Sequence, residues 1–276
     1  MELVIEDFIK IRNLVYERTG IFYAENKVYY IKKRLMKRME ARGIDDVDSY
    51  VKYLKLYDRD NKEFQELINL LTVNETYFFR EFSQLEAFAE GCLEETVERK
   101  LAKGEKFIKA FSAGCSTGEE PYTLAIILKE MLEDYNNWNV LVKGGDIDLN
   151  VLAHARRGIY DSRSVKDVPP VYLKKYFKRL SSEEYEISEE IKDMVTFEHV
   201  NLMDRRSLRY EDNYDFVFCR NVLIYFDDIS RKQVVEKFYT MLNKGGYIFL
   251  GHAESLSRIS TAFKIRKMNG HILYQT

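Results

Sequence analysis

Three groups of residues in this 276-residue sequence have the types and spacing to hold a ligand. The first is the run Ser112-Ala113-Gly114-Cys115-Ser116-Thr117-Gly118-Glu119-Glu120-Pro121, which follows the apolar stretch Phe107 to Phe111. Gly114 and Gly118 permit a tight strand-to-helix turn and a close approach of the backbone to a ligand. A plainer reading of the same run is a capping box, Ser116 with Glu119 or Thr117 with Glu120, with Pro121 in the first helical turn. The second group is Asp146, at the end of another apolar run. A carboxylate there can accept both ribose hydroxyls of an adenosine cofactor. Asp146 lies 146 − 118 = 28 residues beyond Gly118, against ~20 in dinucleotide enzymes, so the helix between them must be longer. A solvated strand end or a helix cap is the alternative, and Asp148 competes for the role. The third is Cys219-Arg220-Asn221-Val222-Leu223-Ile224-Tyr225, where polar residues follow directly on a buried-looking strand. Tyr225 either lines a reaction pocket or packs beside Phe226.

The elements needed to carry these groups are visible in the hydrophobic pattern. Residues 1 to about 73 read as helices. Phe8, Ile11, Leu14 and Val15 recur at helical spacing, as do Tyr30, Ile31, Leu35 and Met39. Asp46 or Asp48 caps a third helix, and Phe64, Leu67, Ile68 and Leu71 mark a fourth. Beyond residue 105 short apolar runs alternate with helical patterns, which predicts an α/β, doubly wound and mostly parallel sheet. A helix from Ile229 to Leu242 stops at Lys244-Gly245-Gly246, and the tail folds as an antiparallel hairpin about Asn269-Gly270. The charged stretch from about 161 to 194 interrupts the alternation and reads as an insertion at the sheet's edge.

Composition narrows the function. Apolar residues make up 46% of the chain, enough for a sizeable core. No apolar run approaches the roughly 18–20 residues that span a bilayer, and Met1 to Lys10 mixes Glu2, Glu6 and Asp7 into its apolar residues, unlike a signal peptide. A cytoplasmic protein is expected. Cys92, Cys115 and Cys219 are widely spaced, and the four histidines form no ligand cluster, so no metal site is expected. Net charge is −2, which gives no general attraction to nucleic acid or membrane. The charge is uneven, however. Lys27 to Arg42 carries Lys27, Lys32, Lys33, Arg34, Lys37, Arg38 and Arg42 against only Glu40.

Six stretches, in order, resemble the CheR family of chemotaxis receptor methyltransferases: VNETYFFRE (73–81), AGCSTGEEPY (113–122), GDID (145–148), HVNL (199–202), CRNVLIYFD (219–227) and GHAES (251–255). The resemblance implies a small helical N-terminal domain, residues 1–73. It also implies a Rossmann-like methyltransferase domain, residues 74–276, with a small inserted β-subdomain. S-adenosylmethionine would be held by Asn74, Thr76, Arg80, Glu119, Asp146, Asn201, Leu202, Asn221 and Val222, leaving S-adenosylhomocysteine as product. Leu202 and Val222 would sandwich adenine, with Asn201 and Asn221 offering amide hydrogen bonds. Arg80 and Tyr225 would orient the substrate. Without the resemblance, Arg80 reads as a surface cation on an amphipathic helix and Asn74 as that helix's cap.

The implied substrate is a glutamate on the helical cytoplasmic bundle of a receptor. Glutamate is ionised at neutral pH, so no general base is expected. Lys33, Arg34, Lys37 and Arg38 would meet the acidic bundle, although a solvated helix face is the plainer reading. Some family members dock a receptor's C-terminal tether on a glycine-containing loop of the inserted subdomain. The matching stretch here, KRLSSEEYEISEEIK, has no glycine, so tether binding is not expected. Two competing readings are a nucleic-acid methyltransferase and a cofactor-binding module that signals without turnover. The first is disfavoured by Asn221-Val222-Leu223-Ile224, where base-methylating enzymes resemble Asn/Asp-Pro-Pro-aromatic.

Overall fold

A computed structural model describes residues 5–204, 206–208 and 211–276; Glu2, in the N-terminal stretch, lies outside them. The chain begins with four helices: α1 (Ile5–Thr19), α2 (Val28–Arg42), α3 (Val47–Leu56) and α4 (Lys62–Leu71). Helix α1 buries Phe8, Ile11, Leu14 and Val15 on one stripe, as the spacing requires. Helix α2 ends at Gly43 in a left-handed cap with φ +62°. The N-cap of α3 is Asp46, whose side chain accepts the Ser49 N–H at 2.8 Å. Helices α5 (Phe82–Ala87) and α6 (Glu94–Leu101) follow, joined by a π-helical turn.

The sheet takes strands β1 (Phe107–Ala113), β2 (Asn139–Asp146), β6 (Val195–His199), β7 (Tyr214–Cys219), β8 (Leu242–Leu250), β9 (Lys264–Met268) and β10 (His271–Gln275). Their order is β6-β2-β1-β7-β8-β10-β9, parallel through β8 and then antiparallel. Helices α7 (Glu119–Met131), α8 (Leu149–Arg157) and α11 (Asp228–Met241) make the crossovers. Every residue of β7 is buried, as a central parallel strand covered on both faces must be. The direction of winding reverses between β1 and β7, so a crevice opens at the carboxyl ends of these two strands. The stretch between α8 and β6 forms a separate antiparallel sheet of β3 (Ile159–Asp161), β4 (Phe177–Arg179) and β5 (Glu184–Ile187), in the order β3-β5-β4, with α9 (Pro170–Tyr176) and α10 (Glu189–Lys192) beside it. The N-terminal helices share one apolar cluster with β7, β8 and α11, including Phe8, Leu35, Leu67, Val217, Ile248 and Phe238. A second cluster covers the opposite face.

Two local expectations differ from the structure. Helix α11 stops at Met241, and Lys244-Gly245-Gly246 lie inside β8. Residues 72–81 form no helix, so Asn74 caps none and Arg80 does not ride on an amphipathic one. The cause is the pair Phe78-Phe79, both buried but in different surroundings. Phe78 meets Tyr160 and Phe177 edge-on, whereas Phe79 stacks on Tyr172. Phe79 and Glu81 take φ +57° and +56° to achieve this. The segment from Thr72 to Arg80 is thus a non-helical strap, irregular to Tyr77 and then turning, between the helical region and the rest of the chain.

Candidate functional site

At the crevice the β1–α7 turn is drawn tight by hydrogen bonds. Gly114 and Cys115 donate their N–H groups to the Gly145 carbonyl at 2.8 and 3.1 Å, and the Ser116 N–H donates to Asp146 Oδ2 at 2.8 Å. Gly114 has φ +68°, and a Cβ there would stand 2.5 Å from Val222 Cγ2. Glycine is therefore required twice over, by backbone conformation and by space. Gly118 precedes α7 at φ +94° with no side-chain cap. Neither expected capping box forms. Thr117 instead donates to Glu119 Oε2 at 2.7 Å, and Ser112 donates to Glu120 Oε1 at 2.7 Å.

Asp146 and Asp148 divide their roles. Asp148 caps α8 through the N–H groups of Asn150 and Val151, and its other oxygen accepts from Thr72 Oγ1 (2.8 Å) and Asn74 Nδ2 (2.9 Å). Asp146 faces the cavity, and its two oxygens accept the N–H groups of Ser116 and Asp148. Each oxygen keeps a lone pair for a further donor. Burial pushes the Asp146 carboxyl up to about 6.

On the far wall, Asn221 follows β7 in a left-handed conformation, φ +60°. Glu254 holds this turn by accepting the N–H groups of Asn221 (2.8 Å), Gly251 (2.8 Å) and Ile224 (3.2 Å). Asn221 Oδ1 is buried with no hydrogen-bond partner from the protein. An orphaned acceptor on a cavity wall suits a ligand that donates, such as an amine or a ribose hydroxyl. Arg220 is buried between Glu81 and Glu120, with ion-pair distances of 3.2 Å to each, and also donates to the Arg80 carbonyl. Arg80 Nη1 donates to the Glu75 carbonyl at 2.9 Å and leaves the guanidinium partly exposed.

These walls enclose a cavity of about 260 Å³ lined by Asn74, Thr76, Arg80, Asp146, Asn201, Leu202, Asn221, Val222 and Tyr225. Thr19, Ile21, Tyr23 and Leu71 close it from the helical region. Glu119 lines a second cavity, which meets the first along the strap residues Asn74, Glu75, Thr76, Tyr77 and Arg80. Glu119 is buried, accepts Ser164 Oγ at 3.1 Å, and is pushed up by burial against the help of the Thr117 and Ser164 hydroxyls. The amide of Asn201 is engaged within the protein: Nδ2 donates to the Arg18 carbonyl at 2.7 Å and Oδ1 accepts the Met203 N–H at 3.0 Å. These bonds tie α1 to the β6 end and leave Asn201 one amide N–H and one lone pair at the cavity it lines. Tyr225 is half-buried, and burial raises its phenol.

The basic face of α2 divides into two rows. Lys33 and Lys37 are exposed. Arg34 and Arg38 turn inward: Arg38 forms a two-pronged ion pair with buried Glu63 at 2.9 and 2.7 Å, and Arg34 Nε donates to the Leu70 carbonyl at 2.7 Å. None of the four lines either cavity.

Sequence reasoning missed three parts. Thr123, which receives the Phe79 N–H, carries no signal beyond its place in a helix. The Glu254 clamp is visible only as an acid inside GHAES. The Glu81–Arg220–Glu120 network joins residues up to 139 positions apart, counted as 220 − 81. Among the described residues no group of three or more His, Cys, Asp or Glu side chains could hold a metal ion, and no helix is long and apolar enough to cross a membrane.

Residues 74–272 match the family model for the CheR methyltransferase SAM binding domain, and residues 6–72 match that for the CheR methyltransferase all-alpha domain. Chemotaxis protein methyltransferase 2 of Vibrio cholerae serotype O1 is 42% identical over 268 residues, covering 96% of this chain and 92% of the relative. The chemotaxis protein methyltransferase of Borreliella burgdorferi is 34% identical, covering 91% and 88%. That of Salmonella typhimurium is 35% identical, covering 94% and 87%. Magnesium protoporphyrin IX methyltransferase of Synechocystis PCC 6803 superposes with a TM-score of 0.34 and 13% identity over 81% of this chain and 91% of that one, too loose a likeness to bear on the chemistry.

Proposed function

The chain belongs to the CheR methyltransferase family, and from that premise we propose that it methylates glutamate side chains on the cytoplasmic helical bundle of chemotaxis receptors, releasing S-adenosylhomocysteine. When bound, S-adenosylmethionine supplies an electrophilic methyl on a sulfonium. Asp146 accepts the ribose hydroxyls. Leu202 and Val222 flank the adenine, and Asn221 Oδ1 gains the donor that the protein itself does not provide. Asn74 and Thr76 border the cofactor from the strap, while Arg80, where the two cavities meet, and Glu119, in the second cavity, serve its charged amino-acid end.

The acceptor carboxylate is ionised at neutral pH and needs no base. Arg80 and Tyr225 hold it. The raised phenol of Tyr225 stays protonated and can donate. What remains is alignment at roughly 3–3.5 Å and exclusion of water, since nucleophile and sulfonium have opposite charges that cancel in the transition state. The observation that carries this reading is the cavity itself, which Arg80, Asp146 and Asn221 all line at the switch point of the sheet.

The test is transfer of labelled methyl to receptor cytoplasmic fragments, followed by mild base. Release of the label as methanol is the expected outcome. Label that survives base, or that goes to RNA instead, would overturn the proposal. The β4–β5 hairpin turns through Ser181–Glu183 without glycine, held by Ser181 Oγ accepting from Glu183 and Glu184. Calorimetry with a receptor's C-terminal tether peptide is accordingly expected to give no heat.

A further inference from the structure

We propose that Arg34 and Tyr30 are positioning residues that set the strap over the cofactor, and that they do not touch the substrate. The inference rests on the function proposed above, and it divides the basic helix into two rows with different work.

The observation is a series of hydrogen bonds, joined by short stretches of backbone, that leads from α2 through the strap to the Asp146 carboxylate. The Arg34 guanidinium lies 3.4 Å from the centroid of the Tyr30 ring. Its Nε donates to the Leu70 carbonyl at 2.7 Å and its Nη1 to the Tyr30 carbonyl at 3.2 Å. The Tyr30 hydroxyl donates to the Leu71 carbonyl at 3.0 Å, and the buried Tyr23 hydroxyl donates to the same carbonyl at 2.8 Å. These carbonyls end α4, where a helix has no partners of its own for them. Helix α2 thereby supplies partners for the last two carbonyls of α4, which ends at Leu71, directly before the strap.

From there the chain continues. Thr72 Oγ1 and Asn74 Nδ2 both donate to Asp148 Oδ2 at 2.8 and 2.9 Å, Ser116 Oγ donates to the Asn74 carbonyl at 3.1 Å, and the Ser116 N–H reaches Asp146. A guanidinium that forks onto two carbonyls while lying over an aromatic ring has fixed geometry. Lys33 and Lys37, on the same helix, are exposed and enter no ion pair among the described residues. Partner contact falls to the lysines; placement of Asn74 and Thr76 falls to Arg34 and Tyr30.

The test measures two constants on the full-length chain: Kd for S-adenosylhomocysteine by calorimetry, and KM for a receptor fragment by methyl transfer. Arg34→Ala should weaken Kd by about tenfold, a usual size for coupling between sites, and leave receptor KM within about twofold. Tyr30→Phe keeps the ring and removes only the hydroxyl, so a smaller loss of the same kind is expected. Arg34→Lys keeps the charge without the fork and should not restore Kd. A rise in receptor KM with Kd unchanged would make Arg34 a substrate contact and overturn the proposal. So would a fall in Tm with Kd unchanged, which marks packing alone. Failure of the methylation reading is separate: it appears as absent receptor turnover in the unaltered chain, whereas the Kd comparison needs no receptor.

Discussion

Asp146 is a buried carboxylate on the cavity wall, so its proton and any ligand there compete for the same oxygens. Its carboxyl sits near 6 because burial disfavours the charge more than two backbone N–H groups restore it. In the free protein this works against stability at neutral pH. The group favours the fold while protonated, below its ordinary 3.8, and that contribution is gone once pH rises through about 6. On the proposed reading, two ribose hydroxyls would need the ionised form, so binding from below pH 6 would expel the proton. The affinity for S-adenosylhomocysteine should therefore be flat above pH 7 and fall below 6, by about tenfold per pH unit as the competent form is depleted. Glu119, Glu120 and Glu254 are also raised, each chiefly by burial, and could bend the same profile. Asp146→Asn separates them, because it should weaken binding at every pH and remove the bend near 6. Calorimetry between pH 5 and 8 decides the matter; a bend that survives in Asp146→Asn would transfer the effect to one of the glutamates.

The β1–α7 turn is the element in which conformation and ligand space cannot be separated. Gly114→Ala would place an L-residue at φ +68° and drive its Cβ to within 2.5 Å of Val222. The conformational part costs roughly 1–2 kcal/mol. The steric part moves a side chain that lines the cavity. Gly43 has a similar φ, +62°, but nothing within 4 Å of its Cβ position, so Gly43→Ala carries the first cost alone. Both variants should lose several degrees of Tm, and only Gly114→Ala should lose cofactor affinity, by tenfold or more. Equal affinities in the two would show that the turn does not shape the pocket. This turn was legible in advance because two glycines and an acidic helix start announce it within ten residues, and the alternation of apolar runs located Asp146 at its strand end. The strap was not legible. Phe78 and Phe79 are consecutive aromatics, and only the surrounding fold shows that one packs on Tyr160 and the other on Tyr172. The same limit applies to Glu254, whose three N–H partners come together only once β7 and β8 are side by side.

Taken whole, the molecule has little net charge, −2, yet it presents a local cationic row on α2. Of the seven cations in the run, the family resemblance singles out four, Lys33, Arg34, Lys37 and Arg38, as equivalent. The fold engages two of them and leaves them half-buried, because Glu63 lies 25 residues beyond Arg38 and the Leu70 carbonyl 36 beyond Arg34, distances no local pattern reveals. The remaining pair, Lys33 and Lys37, stands one helical turn apart on the exposed face. Long-range attraction to an acidic helical bundle is screened within about 8–10 Å at ordinary salt. Such a pair therefore acts on encounter more than on the bound state. Replacing both lysines with Ala should lower kcat/KM for receptor fragments several-fold at low salt. It should also flatten the salt dependence, so that variant and parent converge near 0.5 M salt, where a Debye length of about 4–5 Å leaves little to lose. Kd for S-adenosylhomocysteine should stay unchanged, since neither lysine borders a cavity. Parallel salt curves for the two proteins would mean that the row does not guide the receptor, and the acidic partner would have to be met elsewhere on the surface.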